Sequence, residues 1–556
     1  MEGQMSTDPP SQNSTVDAIN RANSIVDAIN RGETVYTPNA NGKSGSPEQN
    51  VSSPSDDEAA LTEDMLEGPP QETKASKGRG KKERKRLDKN DPLAFVPSSN
   101  LFVTPKGETY AKILCGNHFE NWPINSRQFK RWLTHQIRKR LGVIANSQAL
   151  QEIVQQFDAI AYEDGIRQEF CLRIGRWNGS LYIDMADDLW RVIEITAGGW
   201  KIISGDALFF RRSDSSGRLC EPEEGYTVNE LRSLVNFESE DDFVLFVGAI
   251  VAALRDDGPF PVTFIHGEEG SGKTYVSGIF SDLINPSIPR IQTTPKDLRD
   301  LIISAQNSHA MVIDNASFID GFFSDLICSL STGVGYRTRF LHTNSEEFIF
   351  EGARAIAFNG ITSLIERSDL MSRAIIVRLA HISDEKRLTG RKLDAQWKIA
   401  WPRVLGALCD AVSSALRNID RVTLDRPSRM ADVEEWLIAS EQGLGWEAGT
   451  FSEALRRKQK DSGDTAFEAD LVAVAIKDWL DRENLTYWLG TMTSLLGVLD
   501  GMVSEKTREL RAWPKTNQGL GNAIARSQRV LRLKGIIVNK QHSGERKVTI
   551  TRAQGA

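Results

Sequence analysis

The 556-residue sequence predicts an α/β core on a parallel sheet, preceded by an α+β domain and followed by a helical region that ends in a winged helix. Three observations carry this prediction. A glycine-rich octapeptide, Gly267-Glu268-Glu269-Gly270-Ser271-Gly272-Lys273-Thr274, stands between an apolar β-type run from Pro261 to His266 and a helix-capable segment from Tyr275 to Leu283. From Val228 to about Leu379, strand-like and helix-like runs alternate, as they do when parallel strands are joined by crossover helices. The C-terminal stretch reads as one helix followed by a basic hairpin.

Taken in order, residues 1–90 are rich in Ser, Asn, Pro, Gly and charge and poor in aromatics, which predicts a disordered arm. It holds a short duplication, Thr15-Val-Asp-Ala-Ile-Asn-Arg21 echoed by Ile25-Val-Asp-Ala-Ile-Asn-Arg31, and a basic block over 74–86. That block suits a nucleic-acid arm, a nuclear import signal or a solvated linker. Residues 91–221 read as an α+β accessory domain. It has a basic amphipathic helix over 128–141 (Lys130, Arg131, Arg138, Lys139, Arg140) and a second helix over 147–161. Short strands follow near 169–174, 180–185, 190–196 and 199–204. The basic helix is either a DNA contact or a solvated face. The acids Asp184, Asp187 and Asp188 fit a polar turn as well as a primase centre, for which 91–221 is small. Next comes an α/β unit over 228–420, opened by a Ser239-Glu-Asp-Asp242 capping box before an apolar helix and closed by a long helix over 393–419. A helical linker over 421–504 leads to the winged helix, 505–556.

The bulk composition excludes several classes. Net charge is −7, so a uniformly basic coat is ruled out. The five cysteines form no C-x-x-C pair and read as reduced thiols. No apolar run reaches the roughly 18 residues of a membrane span. The polar, acidic start does not read as a secretory signal. The expected location is a soluble, cytosol-like compartment inside a cell, with no membrane partner.

The octapeptide fits G-x-x-x-x-G-K-[ST] at every fixed position. Gly267, Gly270, Ser271 and Gly272 let backbone N–H groups curl around phosphate oxygens at a helix N-terminus. Lys273 then reaches the outer phosphates and Thr274 holds Mg²⁺. The expected ligands are ATP and Mg²⁺. Forty-one residues beyond Lys273, the apolar run Ala310-Met-Val-Ile-Asp314 ends in an acid suited to holding the metal. Its neighbour, Asn315, can position water but cannot accept a proton at neutral pH, which leaves the hydrolytic base open. A third run, Ala353 to Phe358, ends at Asn359, where a sensor of the γ-phosphate belongs. Arg373, ahead of another apolar run, is placed to act as an arginine finger on a neighbouring subunit, with Arg367 and Arg378 as rivals. Between acid and sensor, two β-type arms flanking a Thr343-Asn-Ser345 turn predict a hairpin.

The order of phosphate loop, acid strand, hairpin, strand ending in Asn359 and downstream Arg373 resembles superfamily 3 helicases. It is most similar to the poxvirus-type primase–helicases and the ATP-binding proteins of phages, prophages and plasmids. The resemblance is strongest over 243–379, through Arg337-Thr-Arg339, Glu346-Glu-Phe-Ile-Phe350, Phe358-Asn-Gly-Ile361 and Arg367-Ser-Asp-Leu-Met-Ser-Arg373. It implies an AAA+ core, a homo-hexameric ring and hairpins gripping single-stranded DNA in the channel. Two departures stand out. Asn315 replaces a second acid, and the hairpin tip, Asn344 to Glu347, is not basic. Arg337, Arg339 and His342 on the arms are then the candidate DNA contacts.

Between Lys506 and Arg552 twelve basic residues face only Glu509 and Glu545. Thr516 caps a helix over 517–533 with Leu520, Ile524 and Leu531 inward and Arg526, Arg529 and Arg532 outward, and a basic hairpin follows. Lys515, Arg526, Arg529 and Lys547 are the candidate duplex-DNA contacts of this winged helix. The expected activity is an ATP-dependent hexameric DNA helicase or translocase in the replication of a phage or other mobile element. The alternatives are a non-unwinding AAA+ remodeller or helicase loader, and an ATP-binding DNA initiator without turnover.

Overall fold

The computed structural model describes residues 95–552 apart from 207, 296, 317–320, 340–346, 361–367, 425–426 and 542–546. The expected arm, 1–90, lies outside the described residues.

The chain enters a four-stranded sheet of β1 (Leu101–Val103), β2 (Thr109–Cys115), β3 (His118–Pro123) and β4 (Ile166–Arg167), in the order β3-β2-β1-β4. Two helices, α1 (Arg127–Leu141) and α2 (Ser147–Asp164), share its apolar core. α1 begins where the Ser126 side chain accepts the Phe129 N–H and stops at Gly142 in the left-handed region. Its Phe129, Leu133 and Ile137, spaced i, i+4, i+8, are fully buried.

The next sheet is an antiparallel meander of β5 (Ile174–Trp177), β6 (Ser180–Asp184), β7 (Arg191–Thr196) and β8 (Gly199–Ser204). The strand expected over 169–174 is displaced to β5, because Arg173 is drawn inward. Its guanidinium, 1% exposed, donates to Asn285 Oδ1 (3.0 Å) and to the carbonyls of Asp184 (2.8 Å), Gly217 (2.9 Å) and Pro286 (3.1 Å). Burial lowers its pKa to about 10. The acids that suggested a polar turn are structural. Asp184 pairs with Arg212 and buried Asp187 with Arg191, each at 2.6 Å.

The central sheet is parallel, in the order β10-β11-β14-β9-β15. Its strands are β9 (Val262–Gly267), β10 (Gln292–Thr293), β11 (Ala310–Asp314), β14 (Ala355–Gly360) and β15 (Ala374–Leu379); the hairpin of β12 (Tyr336–Arg339) and β13 (Glu347–Phe350) lies between β11 and β14 in the chain. Around the sheet are α3 (Glu240–Ala253), α4 (Lys273–Ile284), α5 (Leu298–Asn307), α6 (Gly321–Thr332) and the long α7 (Gly390–Asn418). α3 starts at Ser239, whose side chain accepts the Asp242 N–H, and is buried throughout from Asp242 to Ala253. Such all-round apolarity marks a core helix. It packs in one continuous apolar cluster with meander residues Leu181, Ile183 and Ile193 and with Val404 and Leu408 of α7.

Beyond α8 (Ala431–Ser440) and α9 (Thr450–Ala469) lies a second core, built from α10 (Leu471–Arg482), β16 (Tyr487–Thr491), α11 (Met492–Met502), α12 (Asn517–Leu533), β17 (Ile536–Gln541) and β18 (Lys547–Arg552). The strands form an antiparallel sheet, β16-β18-β17. The stretch read as a helical linker thus supplies α10, β16 and α11 to this unit. Ile476, Leu495, Leu520, Ile524, Leu531 and Ile550 are fully buried at its centre. No described helix is long and apolar enough to cross a membrane.

Candidate phosphate-loop site

β9 ends at Gly267 and α4 begins at Lys273, so the octapeptide forms the turn between an interior strand and its crossover helix. Gly270 (φ +80°) and Gly272 (φ +83°) adopt the left-handed conformation that only glycine takes without cost. A Cβ on Gly267 would lie 2.5 Å from Ser271 Oγ and 3.0 Å from the Leu379 carbonyl. The loop therefore closes only with glycine there. Ser271 itself is 1% exposed beneath the loop.

Lys273 donates its ammonium to the carbonyls of Gly267 (2.8 Å) and Glu268 (2.7 Å). Burial lowers its pKa, and Glu269 and Asp314 oppose that shift. Thr274 Oγ1 donates to Asp314 Oδ1 at 3.0 Å. That separation is about that of adjacent oxygens around one magnesium ion bound at ~2.1 Å, so this pair of hard oxygens fits Mg²⁺. β11 and β9 are not neighbours; β14 runs between them. From β14, Asn359 is 2% exposed and donates Nδ2 to Asp314 Oδ1 (2.6 Å) and Ser277 Oγ (2.8 Å). Its Oδ1 accepts the Asn315 N–H at 2.7 Å. The amide is thus spent on fixing the acid and the turn after it. Asn315 is exposed with φ +52°. Asparagine is among the few residues that tolerate this conformation, which gives the position a backbone reason to be Asn.

A cleft of ≈ 610 Å³ opens over the loop, walled on its far side by Tyr275, Arg290 and Ile291. Arg290 is held by a bidentate pair with Asp282 (3.0 and 2.6 Å). Arg387 reaches the loop from the segment after β15, its Nη2 3.0 Å from where a Gly270 Cβ would sit. Sequence reasoning missed both arginines. They belong to no spacing pattern, and only the fold folds them back over the loop.

Arg373 stands apart from this group. β15 pairs in parallel with β9, Ala374 level with Val262 and Leu379 level with Gly267, so Arg373 lies at the opposite end of the sheet. There it borders a cavity of ≈ 230 Å³ together with Arg429, Glu434 and Arg529. Arg429 Nη1 donates to Ser372 Oγ at 2.8 Å. The rival Arg378 lies level with His266 and gives its backbone N–H to Asp242. Arg367 lies outside the described residues, as do His342 and the side chains of Arg337 and Arg339, whose backbones lie on β12.

In the C-terminal unit, Arg526 and Arg532 are exposed on α12, which Thr516 caps through the Gly519 N–H. Arg529, by contrast, also lines a cationic cleft of ≈ 560 Å³ with Lys460, Lys534 and Arg552. Lys515 donates to the Arg508 carbonyl, and Lys547 begins β18.

These features define an α/β protein in which a glycine-rich loop, a lysine, a threonine and an acid meet at the carboxyl ends of parallel strands, the usual ligand position of open α/β sheets. Residues 228–446 match the family described as actinomycete integrative conjugative element replication protein, and residues 472–556 match the AICE RepA C-terminal domain. The second match begins at the start of α10. Together they span more than half of the chain, which therefore belongs to this family of mobile-element replication proteins. No curated protein matches the chain. Solved structures similar to it include "The A form apo structure of NrS-1 C terminal region-CTR" (11% identity, 82% of this chain and 96% of that one, TM-score 0.38). Another is "The apo structure of NrS-1 C terminal region (305-718)" (12% identity, 84% and 100%, TM-score 0.37).

Proposed function

We propose that this replication protein is an ATP-driven DNA motor, a magnesium-dependent ATP hydrolase of the AAA+ superfamily 3 type that assembles as a homo-hexameric ring. The observation that carries this reading is the hydrogen-bonded set Thr274, Asp314 and Asn359 at one end of the parallel sheet, with Lys273 held beside it by the loop carbonyls. In this reading Gly267 to Gly272 cradle the phosphates with backbone N–H groups, and Lys273 turns from its loop carbonyls to the outer phosphates. Thr274 and Asp314 hold magnesium, which when bound neutralises charge on the outer phosphates. Asn359 keeps Asp314 and the Asn315 turn in place, and Asn315 positions the attacking water. Phosphoryl transfer rests mainly on positioning and charge, so turnover does not require a carboxylate beside Asp314.

Arg373, too far from its own loop, completes the site of a neighbouring subunit. The β12–β13 hairpin, with Arg337, Arg339 and His342, grips single-stranded DNA in the channel. The C-terminal unit, a helix-strand-helix-helix-hairpin order typical of a winged helix, binds duplex DNA through Lys515, Arg526, Arg529 and Lys547.

Lys273→Ala tests the site. ATP turnover by the full-length protein, with and without single-stranded DNA, should fall at least 10²-fold, on the order of what loss of one preorganised charge costs. Turnover within tenfold of wild type would refute the assignment. If wild-type protein binds ATP but never turns it over, the chain is instead an ATP-binding initiator. Turnover without strand displacement points to a remodeller or loader.

A further inference from the structure

The fifteen residues of α1, Arg127–Leu141, include six Arg or Lys and no acid. At 3.6 residues per turn, Arg127, Arg131 and Arg138 project within about 40° of one another, in a row about 16 Å long. All three are exposed, with His135 and Lys139 exposed beside them and Lys130 half-buried. The opposite face, Phe129, Leu133 and Ile137, is fully buried.

Arg138, Lys139 and Arg140 suit the last turn, but the N-terminal half of this arrangement works against helix stability. Arg127, Lys130 and Arg131 crowd the first turns, where the helix dipole favours negative charge. Arg127 and Arg131 are i, i+4 neighbours, a spacing at which like charges repel. Among the described residues no carboxylate relieves them: Arg127, Lys130, Arg131, Arg138 and Lys139 make no ion pair. A face kept cationic at a cost to its own helix, in a chain of net charge −7, is explained by an anionic partner.

We propose that the exposed face of α1 binds the sugar–phosphate backbone of duplex DNA, as a second DNA contact distinct from the C-terminal unit. The row has the form of phosphate contacts, guanidinium groups along a straight rod. The row lacks exposed aromatic platforms on which single-stranded sites stack bases; Phe129 and Trp132 of this helix pack into the apolar core. The inference does not depend on ATP hydrolysis.

The test uses the full-length protein carrying Arg127→Gln, Arg131→Gln and Arg138→Gln together, with a short duplex of arbitrary sequence titrated at several salt concentrations. Three lost phosphate contacts should lower the log–log salt slope by about 2–3. Affinity at low salt should fall on the order of tenfold or more. A single-stranded probe should lose less, and DNA-free ATP turnover should be unchanged. A control set of exposed cations on α7, Arg391→Gln, Lys392→Gln and Lys398→Gln, should leave the slope as it is. Arg127 and Arg131 oppose the helix dipole while Arg138, in the last turn, favours it, so the melting temperature should change little. An unchanged slope or an equal fall in the control would overturn the proposal. Capture of an acidic protein in place of duplex DNA would do so too.

Discussion

Replacing Arg373 by alanine should leave a subunit's own nucleotide contacts intact and disable those of its neighbour. With Ala374 level with Val262 and Leu379 level with Gly267, the two ends of the sheet are separated by five residue steps, or roughly 17 Å at ~3.3 Å per residue. An extended arginine reaches only about 7 Å from its Cα, given bond lengths near 1.5 Å. No rotamer of Arg373 spans that gap within one chain. Arg373→Ala should therefore bind ATP like wild type and lose turnover on the order of 10³-fold, as when an arginine finger is removed. Lys273→Ala fails for the opposite reason, through loss of its own phosphate contact. When the two variants are mixed and allowed to exchange, an intact Arg373 meets an intact Lys273 only where different variants adjoin. Random assembly makes about a quarter of the interfaces competent in an equimolar mixture, so turnover should return to that order. The assay is steady-state phosphate release across mixing ratios, with exchange verified by labelled subunits. Turnover that never exceeds the sum of the separate variants would refute the shared site.

Asp314→Asn should lower turnover on the order of 10²-fold or more, whereas Asn315→Asp should preserve it, since aspartate also tolerates the left-handed backbone; an active Asp314→Asn protein would show that the metal is held elsewhere. Arg526→Gln with Arg529→Gln should lower the duplex-DNA salt slope by about 2, read by titration as above, and no change would assign α12 to protein contacts. Substitution is preferable to truncating the tail, which would strip Leu520, Ile524 and Leu531 from a closed core. Buried His309 donates its Nε2–H to the Ala253 carbonyl at 2.9 Å, and burial lowers its pKa from 6.5 to about 4. The neutral ring is favoured in the fold, so its contribution is complete above pH 6.5 and disappears as pH falls through 4. Between pH 7 and pH 4 wild type should lose up to about 3 kcal/mol more than His309→Gln in urea unfolding, and equal losses would refute the assignment.

What local pattern could carry, the sequence displayed. The loop between β9 and α4, the acid ending β11 and the Thr516 cap of α12 each depend on residues within a few positions of one another. What escaped depends on distant pairing. β16 pairs with β18 at the far end of the unit, and its own five residues contain a glycine, so it reads as an interruption between helices. β2 carries Lys112, whose ammonium lies over the Phe119 and Phe209 rings, so its apolar alternation is broken where a charge is accommodated by tertiary contacts. Arg387 and Arg290 followed the same logic at the site. Asn359 was legible by position on its strand, but its inward-turned amide, bonded to Asp314 and Ser277, was not.

Arg173 has a consequence for how this protein can be divided. The family match begins at residue 228, yet the buried guanidinium ties the strand region before it to Asn285 and Pro286, just past the helix that carries Lys273 and Thr274. A gene fragment cut at 228 would encode a polypeptide lacking Leu181, Ile183 and Ile193, with the apolar surface they cover left open to water. A fragment meant to keep this core therefore has to begin well before the residue at which the family match starts, and it has to retain Arg173 as the partner of Asn285.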